Sequence, residues 1–287
     1  MHMRKTIYFV FSSLPILLLF LIFSSASESS QNVQPKKFIL LSITDNNYLL
    51  QNWPDWSNIE PGIDFKKINI LGKSEEILSQ LRLYRFNPDL FDIHVICSKA
   101  FGFKRADVKK LAELSGSIAI INSSYFDVQG DPIAYLKCNG KRINKRIVTN
   151  IIYSGVFYVK HGRPYIVHRS NFTPGKHISD AVQVGPRLLS KGKDTIGLKN
   201  INAIHHRSGI TLDNKGNVII YATSAQYEGL SWRQLRYILK LKEIGAHEVL
   251  NLDGGGSTQM YISTKSFEDY IRGFTAVPSA IAFFYKK

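Results

Sequence analysis

The sequence predicts one α+β domain over residues 38–287, with a mixed, largely antiparallel sheet and a few packed helices. Short apolar runs rich in Ile, Val, Tyr and Phe are separated by turn signals along most of this range, as is typical of strands. Only three segments, at 74–83, 105–114 and 231–244, have apolar residues at helical spacing. No linker divides the range, and 44% hydrophobic residues are enough for a sizeable core.

The first 26 residues are predicted to be an export signal. Arg4 and Lys5 precede an apolar run over residues 7–23, and small residues at 24–26 offer a cleavage site. An uncleaved anchor is the alternative, in which residues 7–23 would contact the membrane. Residues 27–37 are polar and aperiodic and are predicted to form a tether. The protein is therefore expected to be exported, either periplasmic or secreted.

The chain is strongly basic, which indicates an anionic partner. Residues 1–26 hold two of the 37 Lys and Arg residues and no acid. Thirty-five basic residues then remain against 22 acidic ones, a net charge of +13. An exported protein with this charge is expected to approach phospholipid or phosphorylated glycans. Its basic residues are spread along the sequence instead of forming one run, so nucleic acid is not an expected partner.

Cys97 and Cys138 are the two cysteines of the sequence. Export permits a disulfide between them. Cys97 ends the apolar run 93–97, however, so a buried free thiol is equally compatible with the pattern. Neither position has the spacing of a metal site.

Local patterns predict the elements of the first two thirds of the chain in order. Strands are expected at 38–49, 62–70, 92–97 and 118–121, with helices at 74–83 and 105–114. Asn139-Gly140 is a tight hairpin signal. A strand pair at 147–159 and 164–168 is expected to turn at Gly162. Gly185-Pro186 interrupts a strand at 181–189, because a regular central strand does not tolerate this pair.

The last third leads into a glycine-rich loop. A hairpin is expected from 205 to 223, and Ser231 with Gln234 forms a capping box that begins a helix. Gly245 is placed where that helix would end. A buried strand at 247–252 then stops at Asp253, and three glycines follow. Consecutive glycines indicate either a close approach to the main chain or unusual backbone dihedrals. A plain bulge between two strands is the alternative, since 259–263 and 280–285 are also strand-like.

Four ordered motifs resemble the phosphodiester glycosidase family, most strongly over residues 118–286. They are Ile121-Asn-Ser-Ser-Tyr-Phe126, Gln183-Val-Gly-Pro-Arg187, His206-Arg-Ser-Gly-Ile210 and Asn251-Leu-Asp-Gly-Gly-Gly-Ser-Thr258. The sequence departs from the family pattern at Ser123 and Ser124, where the family has paired glycines, and at His206, where proline is common. The resemblance implies an exported hydrolase that cleaves a sugar-1-phosphodiester in envelope glycan or exopolysaccharide metabolism.

The resemblance and the chemistry of this reaction suggest roles for the polar residues. Asp253 is expected to be the catalytic carboxylate, with Arg207 on the phosphate and Glu228 as a second carboxylate. The backbone amides of the glycine loop are expected to form an anion-binding nest. The predicted substrate contacts are Asn122, Asp127, Arg187, His206, Gly254, Gly255, Gly256, Ser257 and Thr258.

Each role has a structural alternative. Asn122 suits a turn, Asp253 suits a loop cap, and a surface salt bridge would account for Arg187. No cofactor is expected, although Asp253 with Asp127 would suit a divalent cation. The alternative function is a non-catalytic binder of anionic envelope polysaccharide that uses the same cleft.

Overall fold

The computed structural model describes residues 39–43, 46–51, 55–195 and 197–287, with backbone only up to residue 51. The predicted export signal and tether lie outside the described residues. No helix in the described part of the chain is long and apolar enough to cross a membrane.

The described chain contains twenty strands and two α-helices, numbered here in chain order. The first half holds β1 (Ile39–Ile43), β2 (Asn46–Gln51), β3 (Ser57–Glu60), β4 (Ile63–Leu71), β5 (Ile77–Phe86), β6 (Phe91–Cys97), α1 (Val108–Ser115), β7 (Ala119–Asn122), β8 (Leu136–Cys138) and β9 (Lys141–Asn144). The second half holds β10 (Gly155–Lys160), β11 (Arg163–His168), β12 (Ile178–Val184), β13 (Arg187–Ser190), β14 (Lys193–Asp194), β15 (Ser208–Asp213), β16 (Val218–Thr223), α2 (Trp232–Lys240), β17 (Ala246–Asn251), β18 (Met260–Ser263), β19 (Glu268–Ile271) and β20 (Ser279–Tyr285). Short 3₁₀ turns lie at Ser98–Phe101, Ile151–Tyr153, Arg169–Asn171 and Gly255–Ser257.

The strands form three sheets. A large sheet has the order β1-β2-β4-β5-β16-β15-β17-β13-β14, with β3 beside β4. A second sheet has the order β11-β10-β12-β8-β9, and a third the order β19-β18-β7-β20-β6. Every strand pair in the described residues is antiparallel. The expected sheet-rich, single-domain fold is confirmed, whereas the expectation of a mixed sheet is wrong. Hairpins join most neighbouring strands, and a hairpin makes its two strands antiparallel.

One continuous core lies where the three sheets face one another. It contains Phe86 and Ile210 of the large sheet, Phe157 and Val182 of the second, and Ile281 of the third, all fully buried. Burying side chains of this size contributes roughly 1.5–3 kcal/mol each. The three sheets are therefore held in one domain by shared apolar burial.

The two helices cover the outer faces of two sheets. Leu235, Ile238 and Leu239 of α2 pack against the large sheet, and Val108 with Leu111 of α1 packs against the third sheet. The capping box predicted at the start of α2 is present, with Ser231 Oγ accepting from Gln234 N at 3.1 Å. Both helices are amphipathic, so their buried faces dock them against the sheets.

The helix expected at 74–83 is wrong, because this segment forms most of strand β5. This strand lies between β4 and β16 and is covered by apolar side chains on both faces. A strand buried on both faces loses the apolar–polar alternation that identifies a strand in sequence. The spacing of Ile77, Leu78 and Leu81 then resembles a helical period by coincidence.

The predicted helix boundaries are shifted. Helix α1 begins three residues later than expected, because Asp107 caps it by accepting from Lys110 N at 3.0 Å. Helix α2 ends at Lys240, so Ile244 and Gly245 are not part of it. Gly245 is nevertheless left-handed, with φ of 64°, in the turn that leads into β17. The left-handed conformation of Gly245 was predicted, but its place in a separate turn after the helix was not.

A disulfide joins Cys97 on β6 to Cys138 on β8, so the pairing left open by the sequence is formed. It ties the third sheet to the second. The hairpin predicted at Asn139-Gly140 follows directly, with φ of 42° and 79° at its two turn residues.

The interruption at Gly185-Pro186 moves the chain from one sheet to another. Strand β12 ends at Val184 in the second sheet, and β13 begins at Arg187 beside β17 in the large sheet. Gly185 has φ of 153°, and a Cβ there would lie 2.5 Å from the carbonyl oxygen of Ile152. Glycine is therefore required at this crossing, which brings the second sheet next to the end of β17.

Candidate active site

Asp253 lies two residues after the end of β17, where the ends of all three sheets meet. Its amide donates to Ser123 O at 3.1 Å. Its carbonyl oxygen accepts from Asn122 Nδ2 at 2.7 Å and from Ser208 Oγ at 2.8 Å. Because both backbone groups of Asp253 are fixed, the direction of its side chain is set by residues from β7 and β15.

The carboxyl group of Asp253 is largely withdrawn from water. Burial raises its pKa from 3.8 to about 6, against the opposite effect of hydrogen bonds from the Ser257 side chain and the Gly254 amide. Desolvation penalises the charged form, whereas donors to the carboxylate stabilise it. A carboxyl group that titrates near neutral pH can accept or release a proton during a reaction.

The three glycines are explained by close packing and by one left-handed residue. Gly255 has φ of 58°. A Cβ on Gly254 would lie 2.8 Å from His206 O, and one on Gly256 would lie 2.9 Å from Thr275 Oγ1. Both explanations predicted from the sequence, close approach and unusual dihedrals, are therefore confirmed. The loop is a packed turn beside β15 and not a plain bulge.

The amide nest predicted for this loop is smaller than expected. Gly255 N donates to His206 O at 2.9 Å, and Ser257 N donates to Gly254 O at 3.2 Å. The Gly254 amide faces the Asp253 carboxylate. This leaves the amide of Gly256 without a partner among the described residues. The buried hydroxyl of Thr258 also lacks a hydrogen-bond partner.

Arg207 is held close to this loop as a buried cation. Its Nε donates to Leu230 O at 3.0 Å, one Nη donates to Ala203 O at 2.9 Å, and its guanidinium lies 4.6 Å from the Trp232 ring centroid. Burial lowers its pKa to about 10, so it stays charged at neutral pH. No carboxylate of the described chain forms an ion pair with it. A buried cation without an ionic partner is suited to hold an anion.

Two tyrosines that the sequence analysis did not single out lie near Asp253. Tyr125 donates its hydroxyl to Gly185 O at 2.5 Å, and its ring is 5.2 Å from that of Tyr153. Burial and, secondarily, the charge of Asp253 raise the pKa of both phenols. Tyr125 lies inside the motif at 121–126 and was therefore visible in the sequence. Tyr153 belongs to no motif, and only folding brings it here.

His206 borders the glycine loop with its backbone and its ring. The ring lies 6.3 Å from that of Phe274, which is 75% exposed. Burial, and then the neighbouring His205, lower the pKa of His206. Its Nδ1 is buried and makes no hydrogen bond within the described chain. The shift favours the neutral ring, and its buried Nδ1 is left unsatisfied within the described chain.

Asn122 and Arg187 are engaged in other ways than predicted. Asn122 is fully buried, and its Oδ1 accepts from Gln259 N at 3.1 Å while its Nδ2 holds Asp253. Arg187 forms an ion pair with Glu248 of β17 at 2.6 Å. Asn122 therefore positions the glycine loop. The alternative for Arg187 was a surface salt bridge; an ion pair is present, but it is largely buried.

Asp127 and Glu228 are both exposed. Asp127 accepts from Asp131 N at 2.8 Å and closes a turn of its own. Glu228 makes no hydrogen bond or ion pair with other described residues, although the next residue, Gly229, packs its backbone against His205. The described residues contain no group of three or more His, Cys, Asp or Glu side chains that could hold a metal ion. The roles predicted for Asp127 and Glu228 therefore stay predictions.

The site thus combines a buried acid on the glycine loop with a buried cation one residue before β15, the strand whose Ser208 holds the backbone of Asp253. The sequence profile of the phosphodiester glycosidase family matches residues 115–284. The chain belongs to this family. The match covers Asn122, Arg207 and Asp253, and the motifs quoted from the sequence all lie within it.

Solved structures with the same fold support this assignment. The chain is similar to the catalytic domain of zebrafish N-acetylglucosamine-1-phosphodiester alpha-N-acetylglucosaminidase, auto-inhibited by its pro-peptide, with a TM-score of 0.62 and 16% identity over 83% of this chain and 88% of that one. A Synechocystis protein matches with a TM-score of 0.57 and 13% identity over 88% and 76% of the two chains. A Burkholderia pseudomallei protein described as exported matches at 0.50 and 11% over 71% and 74%. A sequence search of curated proteins finds no match.

Proposed function

We propose that this protein is an exported hydrolase that cleaves a sugar-1-phosphodiester in envelope glycan or exopolysaccharide metabolism. The observation that carries the proposal is the Asp253 carboxyl, buried and with a pKa of about 6, on the glycine loop of a phosphodiester glycosidase fold. Export is supported by the signal-like residues 1–26 and by the neighbour from Burkholderia pseudomallei.

The cation and the acid of the site have different roles in the proposed reaction. Arg207 carries a positive charge with no ionic partner among the described residues, which favours binding of the phosphate group. The free amide of Gly256 and the unpartnered hydroxyl of Thr258 supply further donors on the same loop. Asp253 acts as base or nucleophile, and a pKa of about 6 leaves it mostly ionised at neutral pH, which is the form that both roles need. Because a phosphate monoester is already a good leaving group, a single buried carboxyl can support the reaction with limited help from a second acid such as Glu228.

The supporting roles follow from the hydrogen bonds. Asn122 and Ser208 hold the backbone of Asp253, and Ser257 holds its carboxylate. Tyr125 and Tyr153 form an aromatic wall beside the acid, which suits the face of a sugar ring. His206 with Phe274 borders the loop on another side and is proposed to contact the sugar or the phosphate.

The test is release of free sugar from a panel of sugar-1-phosphodiesters by the wild-type protein and by Asp253→Asn and Asp253→Ala. We expect release by the wild type and a loss of about 10³-fold or more in both variants. Correctly folded wild-type protein that binds anionic polysaccharide but cleaves no panel member would instead support the non-catalytic binder. Equal activity in the wild type and the two variants would remove Asp253 from the mechanism.

A further inference from the structure

The second sheet carries an unusual charge distribution. Residues 132–179 contain nine Lys and Arg residues and no Asp or Glu. The one acid in its five strands is Asp180, which is fully buried. The Asp180 carboxylate accepts from Val95 N at 2.9 Å and Asn139 N at 2.8 Å and lies 3.0 Å from His94 Nδ1. The strands of this sheet therefore present no exposed negative charge to balance their basic residues.

Four of these basic residues form one group, called here the basic strip. They lie on edge strand β9 and in the loop that follows it, and they are Lys141, Arg142, Lys145 and Arg146. All four are exposed, and none forms an ion pair within the described chain. By contrast, Arg163 on the other edge of the sheet is paired with Asp89. A group of neighbouring cations without counter-charges creates a local positive potential.

The loop after β9 connects the basic strip to the candidate active site. Gln183, buried on β12, binds this loop at both ends: its Nε2 donates to Val148 O at 2.6 Å and to Tyr153 O at 2.9 Å, and its Oε1 accepts from Val148 N at 2.9 Å. Tyr153 then contacts Tyr125 in the wall beside Asp253. The charges of both Arg146 and Asp253 act on the Tyr153 phenol, in opposite directions. The basic strip is thus connected to the surroundings of Asp253 through the loop after β9, Tyr153 and Tyr125.

We propose that the basic strip is an exosite for the anionic chain of a polymeric glycan, which it holds while a sugar-1-phosphodiester of that chain is cleaved at Asp253. The inference rests on the proposed function and narrows its substrate class to polyanionic glycans. The four residues of β9 span about 13 Å of extended chain, and the chain then turns where Asn144 Oδ1 accepts from Arg146 N at 2.8 Å. This length is enough to contact several charged groups of a linear polymer. The basic strip differs from basic residues elsewhere on the surface because its loop leads to the aromatic wall of Tyr125 and Tyr153.

The experiment compares two variants of the full chain with equal changes in charge. The strip variant carries Lys141→Gln, Arg142→Gln, Lys145→Gln and Arg146→Gln. The control variant carries Lys73→Gln, Lys199→Gln, Lys215→Gln and Lys242→Gln, four exposed lysines outside the second sheet. Binding is measured with fluorescein-labelled poly(glycerol phosphate) from about 0.05 to 0.5 M salt. Uncharged dextran, phosphatidylglycerol vesicles and single-stranded DNA serve as comparison ligands.

We expect the strip variant to bind poly(glycerol phosphate) about tenfold more weakly at low salt. The slope of log affinity against log salt should fall by about 3, because a flexible polyanion releases about 0.7 counterion per neutralised charge. The control variant should change affinity by less than about twofold. On an anionic glycan substrate KM should rise about tenfold in the strip variant. Turnover of a small sugar-1-phosphodiester, whose only charge is that of its own phosphate, should stay unchanged.

The two proposals fail in different ways. Turnover of the anionic substrate with an unchanged KM in the strip variant would overturn the exosite and leave the hydrolase intact. Loss of polymer binding in the strip variant, with no substrate cleaved by the wild type, would overturn the hydrolase and leave a polymer-binding strip. Ile147 and Ile151 beside the strip are exposed apolar residues, so a membrane is the main alternative ligand for the strip. A larger loss on vesicles or DNA than on poly(glycerol phosphate) would reject the glycan as its ligand.

Discussion

The properties of Asp253 arise from two opposing effects at the scale of single residues. Burial disfavours the carboxylate, while Ser257 and the Gly254 amide stabilise it, and the balance leaves its pKa at about 6. The hydrogen bonds from Asn122 and Ser208 reach only the backbone of Asp253. The position of Asp253 and the pKa of its carboxyl group are therefore controlled by different neighbours. Mutations of these neighbours can test the two effects separately.

We predict that Asp253→Asn stabilises the protein while removing its activity. The folded-state pKa lies above the unfolded one, so the folded protein binds this proton more tightly and loses stability as pH rises from about 4 to 6. Replacing the acid by a neutral isostere should raise the free energy of unfolding at pH 7 by about 1–3 kcal/mol. Urea denaturation at several pH values checks this: the gain should vanish near pH 4, and a variant less stable than wild type at pH 7 would contradict it.

We predict that Ser257→Ala raises the pKa of Asp253. Removing a donor to the ionised form favours the neutral acid, so the acid limb of the kcat/KM profile should move upward by about one pH unit. Ser263→Ala, on the neighbouring strand β18 and without a side-chain hydrogen bond in the described structure, is the matched control. If the acid limb of the kcat/KM profile stays near pH 6 in Ser257→Ala, the Ser257 hydroxyl does not act on the Asp253 carboxylate.

At the scale of elements, the site depends on where strands and helices begin and end. Asp253 lies two residues after the end of β17, Arg207 precedes the first residue of β15, and Trp232 is the first residue of α2. Element ends place polar groups on loops that a rigid frame supports. The start of α2 therefore serves the site directly, because Leu230 O and Trp232 both hold Arg207.

We predict that Ser231→Ala lowers the free energy of unfolding by about 0.5–2 kcal/mol. The substitution removes the acceptor for Gln234 N and leaves the first turn of α2 without its cap. Ser231→Thr keeps a capping hydroxyl and should recover most of the loss. The comparison is made by thermal and chemical denaturation, and equal stability of Ser231→Ala and wild type would refute a role for this cap.

Helix α2 and strand β5 show why some elements are predictable from sequence and others are not. The start of α2 is encoded by two residues three apart, so local sequence suffices. The identity of β5 depends on being covered on both faces by distant parts of the chain, which removes the alternation that a strand shows locally. Its neighbours β4 and β16 supply the hydrogen bonds that the sequence of β5 does not reveal.

At the scale of the whole molecule, three sheets share one core, and a disulfide links two of them. Cys97 and Cys138 are 41 residues apart in sequence. The disulfide closes a loop that contains α1, β7 and the motif at 121–126. It therefore constrains the segment that supplies Asn122 and Tyr125 to the site.

We predict that removing this disulfide, by Cys97→Ala with Cys138→Ala, lowers the free energy of unfolding by about 2–4 kcal/mol. A loop of this length restricts the unfolded chain to about this extent in the chain-entropy description. Chemical denaturation with and without reductant measures the effect. Reductant should shift the midpoint of the wild type but not that of the double variant, and an equal shift in both would contradict the prediction.

By itself, the sequence determined the family, the sheet-rich class, the main turns and the place of Asp253 at the start of the glycine loop. These features rest on local signals: glycine dihedrals, capping residues and ordered motifs. Only the tertiary structure decided that Arg187 is paired with Glu248, that Tyr153 joins the site, and that the loop after the basic strip is bound to Gln183 and leads to Tyr153. Those facts depend on which strands are neighbours, and strand order is set by burial between residues far apart in the chain, which no local pattern records.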